Sequence, residues 1–175
     1  MSRTHDPVAV LGIGAMGHGM ASSALRAGIP TIVWNRKLEA TRDLAALGAQ
    51  VGETAADAAR RAAVVVTMVT DADAVISIAR DQGMLAALAP DAIWVQMSTI
   101  GVAGIERVVA LVEKERPDIT LVDAPVSGSK EAPKVSSRQR PSIGEFVILS
   151  NLAAAWGSHE IQDFRPNSQR GSPPR

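Results

Sequence analysis

Val8-Ala9-Val10-Leu11-Gly12-Ile13-Gly14-Ala15-Met16-Gly17-His18-Gly19-Met20, then an Ala-rich stretch, then Gly28-Ile29-Pro30-Thr31-Ile32-Val33-Trp34-Asn35-Arg36, reads as a strand, a tight glycine turn, a helix and a second strand. In Gly12-x-Gly14-x-x-Gly17 the first glycine allows the turn, the second lets the backbone approach a pyrophosphate, and the third lets the helix pack closely on the strand. A helix opening at Ala15 aims its free N–H groups and its positive dipole end at bound phosphates. A glycine-rich turn by itself is weak evidence, because such turns serve packing in many folds. Here a strand precedes it, a helix follows it, and a second strand ends about 20 residues on, which points to a dinucleotide site.

Outward from this unit, short Val/Ile-rich runs alternate with Ala/Leu/Arg-rich stretches of helical length up to about residue 130. That is the pattern of parallel strands joined by crossover helices. Strands are expected at 7–13, 30–35, 49–51, 63–69, 92–97 and 119–123, and helices at Ala15–Ala27, Leu38–Leu47, Ala55–Ala62, Ala72–Ile78 and Val102–Glu115. Gly28 and Gly48 stand as helix stops and Thr54 as a helix N-cap. The unbroken apolar run Val64-Val65-Val66 suits a strand buried on both faces of a parallel sheet. The expected fold class is α/β, a Rossmann-type doubly wound parallel sheet in a single domain.

The 175 residues fit one domain, and with 46% hydrophobic but only 3% aromatic residues the core must be built from small aliphatic side chains. Eighteen basic and eighteen acidic residues cancel, so no long-range field favours nucleic acid or a membrane surface, and any anion site is local. Cysteine is absent, which rules out a disulfide framework and thiolate metal ligation and fits a reducing compartment. The N-terminus lacks an apolar signal core and the longest apolar run, Ala62 to Met68, is too short to span a bilayer. A cytoplasmic protein without a metal site is expected.

Four further segments carry candidate chemistry. The second strand ends in Asn35-Arg36-Lys37, where an Asp or Glu would bind the adenosine ribose diol of NAD. An amide can still bond the ribose, and the two cations can neutralise a 2′-phosphate, so NADP is expected rather than NAD. A solvated basic helix start is the bland alternative. Val69-Thr70-Asp71 closes the fourth strand at the edge where a doubly wound sheet binds ligands, although Thr70 or Asp71 can equally cap the next helix. Met97-Ser98-Thr99-Ile100-Gly101 brings two hydroxyls to the same edge, able to orient a carbonyl or carboxylate or merely to cap a helix. Asp123-Ala124-Pro125-Val126-Ser127-Gly128-Ser129 closes the sixth strand with hydroxyls and N–H groups that can hold a carboxylate, or forms a plain polar turn.

On these residues, from 8 to about 133 and in order, the chain closely resembles the β-hydroxyacid dehydrogenase family, which includes 3-hydroxyisobutyrate dehydrogenases and tartronate semialdehyde or glyoxylate reductases. Imine reductases and the cofactor domain of 6-phosphogluconate dehydrogenase are more distant. The resemblance implies that Gly12, Ile13, Gly14, Ala15, Met16 and Gly17 hold the pyrophosphate, that Asn35, Arg36 and Lys37 hold the adenosine end, and that Val69 and Thr70 form the wall of the cofactor groove. It places Ser98 and Thr99 at the nicotinamide and substrate, and Ser127, Gly128 and Ser129 at the substrate carboxylate. The implied reaction is hydride transfer between NADP and a small carboxylate-bearing aldehyde or alcohol.

The family's general acid or base is a Lys on the long helix after this domain, in a Gly-rich stretch with a nearby Asn, followed by an all-helical domain that forms much of the substrate pocket and dimer interface. The chain's four lysines, at 37, 114, 130 and 134, stand in no such context. His5 and His159 lie in terminal segments, and His18 sits beside the phosphate turn, where proton transfer would first need a geometry that spacing does not supply. Residues 131 to 175 hold seven Ser and five of the ten Pro, and read as loop apart from one candidate edge strand at 144–150. The expected organisation is a dinucleotide-binding domain over 1–133 and an irregular extension over 134–175, the kind of ending a frameshifted or truncated reading frame leaves. Three alternatives stay open: a truncated oxidoreductase, an NADP-binding module without catalysis, or a fragment whose uncovered apolar surface aggregates.

Overall fold

The computed structural model describes residues 6–125 and the strand Lys134–Val135. The expected strand at 144–150 and the expected carboxylate-binding residues Ser127, Gly128 and Ser129 lie outside the described residues.

Seven strands, β1 (Val8–Leu11), β2 (Thr31–Trp34), β3 (Gln50–Val51), β4 (Val64–Thr67), β5 (Ile93–Gln96), β6 (Thr120–Asp123) and β7 (Lys134–Val135), form one sheet in the order β3-β2-β1-β4-β5-β6-β7. The first six are parallel and β7 runs antiparallel to β6. Order 3-2-1-4-5-6 is that of a dinucleotide-binding doubly wound sheet, and the expected α/β Rossmann-type fold is what the chain adopts. The pair Lys134–Val135 adds an edge strand inside the stretch read from sequence as irregular extension.

Every residue of β1, β2, β4 and β5 is buried, because helices cover both faces. The period-two alternation of side chains divides the core. Val8, Val10, Val33, Val64, Val66, Ile93 and Val95 face α1 (Ala15–Arg26) and α2 (Arg42–Ala46). Ala9, Leu11, Ile32, Trp34, Val65, Trp94 and Leu121 face α3 (Ala55–Arg60), α4 (Ala72–Ile76), α5 (Met84–Ala87) and α6 (Gly101–Glu115). Alanines on α1 and α3 let the backbones of helix and sheet approach, which is why so few aromatics suffice.

Local signals set most boundaries. Gly28 and Gly48 take left-handed φ values of 75° and 100° just past the helices they end. Thr54 caps α3 by accepting the Asp57 N–H at 3.0 Å. Two helices depart from expectation. The stretch Leu38–Leu47 is a 3-10 turn, Leu38–Thr41, followed by α2, because the Thr41 hydroxyl donates to the Leu38 carbonyl at 2.7 Å and tightens the first turn. The helix expected to stop at Ile78 runs on from α4 through a π-helical turn, Ser77–Asp81, and then gives way to the unexpected α5, whose Met84 and Leu85 are fully buried. Arg116 fastens this addition: its guanidinium donates to the carbonyls of Leu85 (2.7 Å), Leu88 (2.9 Å) and Ala89 (3.3 Å) and pairs with Asp118 at 2.7 Å.

Candidate functional site

Strand order reverses between β1 and β4, and the loops leaving these neighbours depart to opposite faces of the sheet. They open a crevice at their carboxyl ends of about 790 Å³. One side is the turn Gly12 to Gly17 with the start of α1, the second is Trp34, Asn35 and Arg36 after β2, and the third runs from Met68 through Asp71 after β4.

The three glycines differ in what they tolerate. Gly12 has φ +99°, and a Cβ there would lie 2.2 Å from the Met68 carbonyl oxygen; a Cβ on Gly17 would lie 1.9 Å from the Gly12 oxygen. Both positions are closed by the protein itself. A Cβ on Gly14 would meet no atom within 4 Å, so that face of the turn is an open cradle beside the free N–H groups of the twelve-residue α1. An anionic ligand with close backbone contact fits this donor set. Met16, 52% exposed, stands at its rim.

Asn35 ties two sides of the crevice together. Its Oδ1 accepts the Ile13 N–H at 3.0 Å and its Nδ2 donates to the Lys37 carbonyl at 3.0 Å. Arg36 next to it is exposed and lines the crevice, whereas Lys37 is exposed away from the lining. On the β4 side, Asp71 is the N-cap of α4: its Oδ1 accepts the Ala74 N–H at 2.8 Å, and Thr70 donates its hydroxyl to Oδ2 at 2.8 Å. The Ala74 amide first, and the Thr70 hydroxyl second, hold the Asp71 carboxyl below the usual carboxylate range. A negative charge therefore stands on the wall of a crevice built for an anion.

The structure brings Gly12, Ile13, Gly14, Ala15, Met16, Gly17, Asn35, Arg36, Val69 and Thr70 to this one crevice. Ser98 and Thr99 are not part of its lining. Thr99 is exposed at the end of β5, and Ser98 is fully buried with its hydroxyl turned to the backbone, accepting the Val69 N–H at 2.8 Å. His18 sits on α1 against Ser22 at 3.5 Å, off the crevice lining. Sequence reasoning missed Asp73, Ala74, Ser77, Ile78 and Gln82, which line the far end. The signal was present as helical spacing, 74, 77, 78 and 82, but the helix was expected to stop short of Gln82.

A parallel sheet of this order, with an open glycine cradle at a helix N-terminus on its switch point, defines a nicotinamide-dinucleotide-binding domain. The chain belongs to the family of the NAD binding domain of 6-phosphogluconate dehydrogenase, whose model matches residues 7–136. Among individual proteins it is 38% identical to an oxidoreductase of Bacillus subtilis over 126 residues, which is 71% of this chain and 43% of that one. The 3-hydroxyisobutyrate dehydrogenase of Mycobacterium tuberculosis, solved with L-serine, superposes with a TM-score of 0.65 at 33% identity, over 71% of this chain and 42% of that one. An imine reductase of Myxococcus stipitatus, solved with NADP+, gives 0.61 at 26% identity, over 67% and 40%. The homologues are thus 3-hydroxyisobutyrate dehydrogenases and related β-hydroxyacid dehydrogenases, and the chain spans about half the length of the curated relatives it matches. No helix among the described residues is long and apolar enough to cross a membrane.

Proposed function

We propose that the protein is an NADP-dependent oxidoreductase of the β-hydroxyacid dehydrogenase type, acting on a small carboxylate-bearing aldehyde or alcohol. The observation that carries the cofactor part is the open cradle at Gly14, closed on both sides by Gly12 and Gly17, with Arg36 lining the same crevice. Residues 12–17 hold the pyrophosphate through backbone N–H groups and the α1 dipole. Arg36, helped by Lys37, takes the 2′-phosphate, since a planar guanidinium matches phosphate oxygens in pairs. Asn35 shapes the ribose end, Thr99 serves the nicotinamide and substrate, and the family resemblance gives Ser127, Gly128 and Ser129 the role of binding the substrate carboxylate. NADP supplies or accepts the hydride when bound, and the walls at Val69 and Thr70 keep its nicotinamide side in place. The imine reductase relative solved with NADP+ supports the choice of cofactor. Cytoplasmic location belongs to the same proposal, which allows a homodimer although the family's usual dimer interface lies in the helical domain after this one.

A second reading has its own observation. Neither Lys37 nor Lys114 lines the crevice, so neither of these two lysines serves it as proton donor. A chain that binds NADP and turns nothing over is the outcome this favours. Losing a general acid costs about 10²- to 10⁴-fold in rate, so binding and turnover are separate measurements. Oxidation of NADPH in the presence of glyoxylate, succinic semialdehyde or tartronate semialdehyde, and reduction of NADP+ with 3-hydroxyisobutyrate, test the first reading. Turnover of any one supports an enzyme. Tight NADPH binding with no turnover above solution supports the second reading.

A further inference from the structure

From the geometry around Val69 we infer that Ser98 is a positioning residue for the cofactor crevice: its buried hydroxyl fixes the crevice wall through the Val69 amide and touches no ligand itself. The inference rests on the cofactor reading given above.

The need arises where β4 ends. The Met68 N–H still reaches the Leu11 carbonyl at 2.9 Å, and the Met97 N–H closes on the Thr67 carbonyl at 3.0 Å. Val69 is the first residue to leave this ladder, so its N–H has no strand partner. Val69 is half-buried, and an amide withdrawn from water without an acceptor is costly. Ser98, 29 positions later at the end of β5, supplies the acceptor at 2.8 Å, and its hydroxyl is aimed back at the Thr67 carbonyl at 3.5 Å.

Ser98 is itself held from both sides by one side chain. Gln96, fully buried in β5, accepts the Ser98 N–H on Oε1 at 2.7 Å and donates from Nε2 to the Ser98 carbonyl at 2.8 Å. The same Nε2 lies 3.4 Å from Oδ1 of Asp123 at the end of β6. A polar chain therefore runs across three neighbouring strand ends and finishes on Val69. Val69 lines the crevice and abuts the phosphate turn, its Cγ1 lying 2.7 Å from where a Cβ on Gly12 would sit. Release of the Val69 amide lets the wall move against the turn that holds the pyrophosphate, whereas fixing it keeps the crevice at one width. A hydroxyl that is fully buried can act on a ligand only in this indirect way.

Two measurements on the full chain test this, with Ser98→Ala and Ser98→Thr compared to wild type at a temperature where circular dichroism shows all three folded. Amide hydrogen exchange without nucleotide reads the geometry alone. The Val69 N–H should exchange at least about tenfold faster in Ser98→Ala, with Val65 and Val66 unchanged. Titration with NADPH should show Kd raised about tenfold in Ser98→Ala and restored within about threefold in Ser98→Thr. If Ser98→Thr does not fold, Ser98→Ala decides. Unchanged Val69 exchange, or unchanged NADPH affinity in a folded Ser98→Ala protein, overturns the inference, because a merely structural serine would lower the melting temperature and leave Kd alone. Failure of the wild type to bind NADPH overturns the cofactor reading instead, and the nucleotide-free exchange tells the two failures apart.

Discussion

The side chain of Asn35 reaches from the end of β2 to accept the backbone N–H of Ile13 at 3.0 Å, so the loop that carries Arg36 and the glycine turn are one unit. Its Nδ2, bonded to the Lys37 carbonyl, sets the direction in which the chain leaves the strand. Asn35→Asp keeps an acceptor for Ile13, loses the donor to Lys37 and adds a negative charge beside Arg36. It should shift preference from NADPH toward NADH with less than about 1 kcal/mol lost in stability, whereas Asn35→Ala should cost about 1–2 kcal/mol through the orphaned Ile13 amide. Chemical denaturation and titration with both nucleotides check the pair.

The glycines separate folding from binding. Gly14→Ala meets open space and should leave stability within about 1 kcal/mol of wild type. The new methyl enters the phosphate cradle and should weaken NADPH at least about tenfold. Gly17→Ala forces a Cβ into the Gly12 carbonyl and should cost about 2 kcal/mol or more. Thermal unfolding and calorimetry on the two variants would show opposite patterns, and equal destabilisation would contradict the open cradle.

These features were legible in the sequence to different depths. The turn and its strands are local: glycine spacing and unbroken Val runs report directly on backbone clearance and two-sided burial. The π-helical turn and α5 were not legible, because α5 has four residues, too few for a period, and the Arg116 that ties down its Leu85 carbonyl arrives from the far end of α6. Ser98 reads from the sequence as a strand-end hydroxyl able to orient a ligand or cap a helix, and the family resemblance puts it at the nicotinamide and substrate. Its partner, the Val69 N–H, is a tertiary fact that no spacing within either segment reveals. Gln96 is one polar residue in an apolar strand, and only the fold shows that it grips both backbone groups of Ser98.

Asp71 offers a test of charge in the crevice. Asp71→Asn retains an acceptor for the Ala74 N–H, so the cap on α4 survives, while the negative charge on the wall is removed. NADPH should bind a few-fold tighter at low salt, and the gain should shrink as ionic strength rises, since the group is exposed and screened. Titrations at two salt concentrations check it; no gain at low salt would show that the carboxylate stands too far from the ligand's charges to matter.

Arg116 links stability to pH. Arg116→Leu leaves the carbonyls of Leu85, Leu88 and Ala89 without their shared donor and should cost about 2 kcal/mol. The Arg116 hydrogen bonds hold the Asp118 carboxyl below its ordinary value. A depressed carboxyl contributes stability that is full above its unfolded pKa of about 3.9 and is lost as pH falls through the folded value. Asp118→Asn should therefore reduce stability at neutral pH and flatten its fall below pH about 4. Urea midpoints measured across that range for wild type and variant check the sign.

The central claim, that this crevice is an NADP site read by Arg36, is tested most directly by calorimetric titration of wild type and Arg36→Ala with NADPH and NADH. Wild type should bind NADPH more tightly than NADH. The substitution should raise Kd for NADPH by about ten- to a hundredfold, the range for loss of a charge-assisted contact, while NADH changes by less than about threefold. Equal losses for the two nucleotides, or a flat NADPH titration of the wild type, would contradict it.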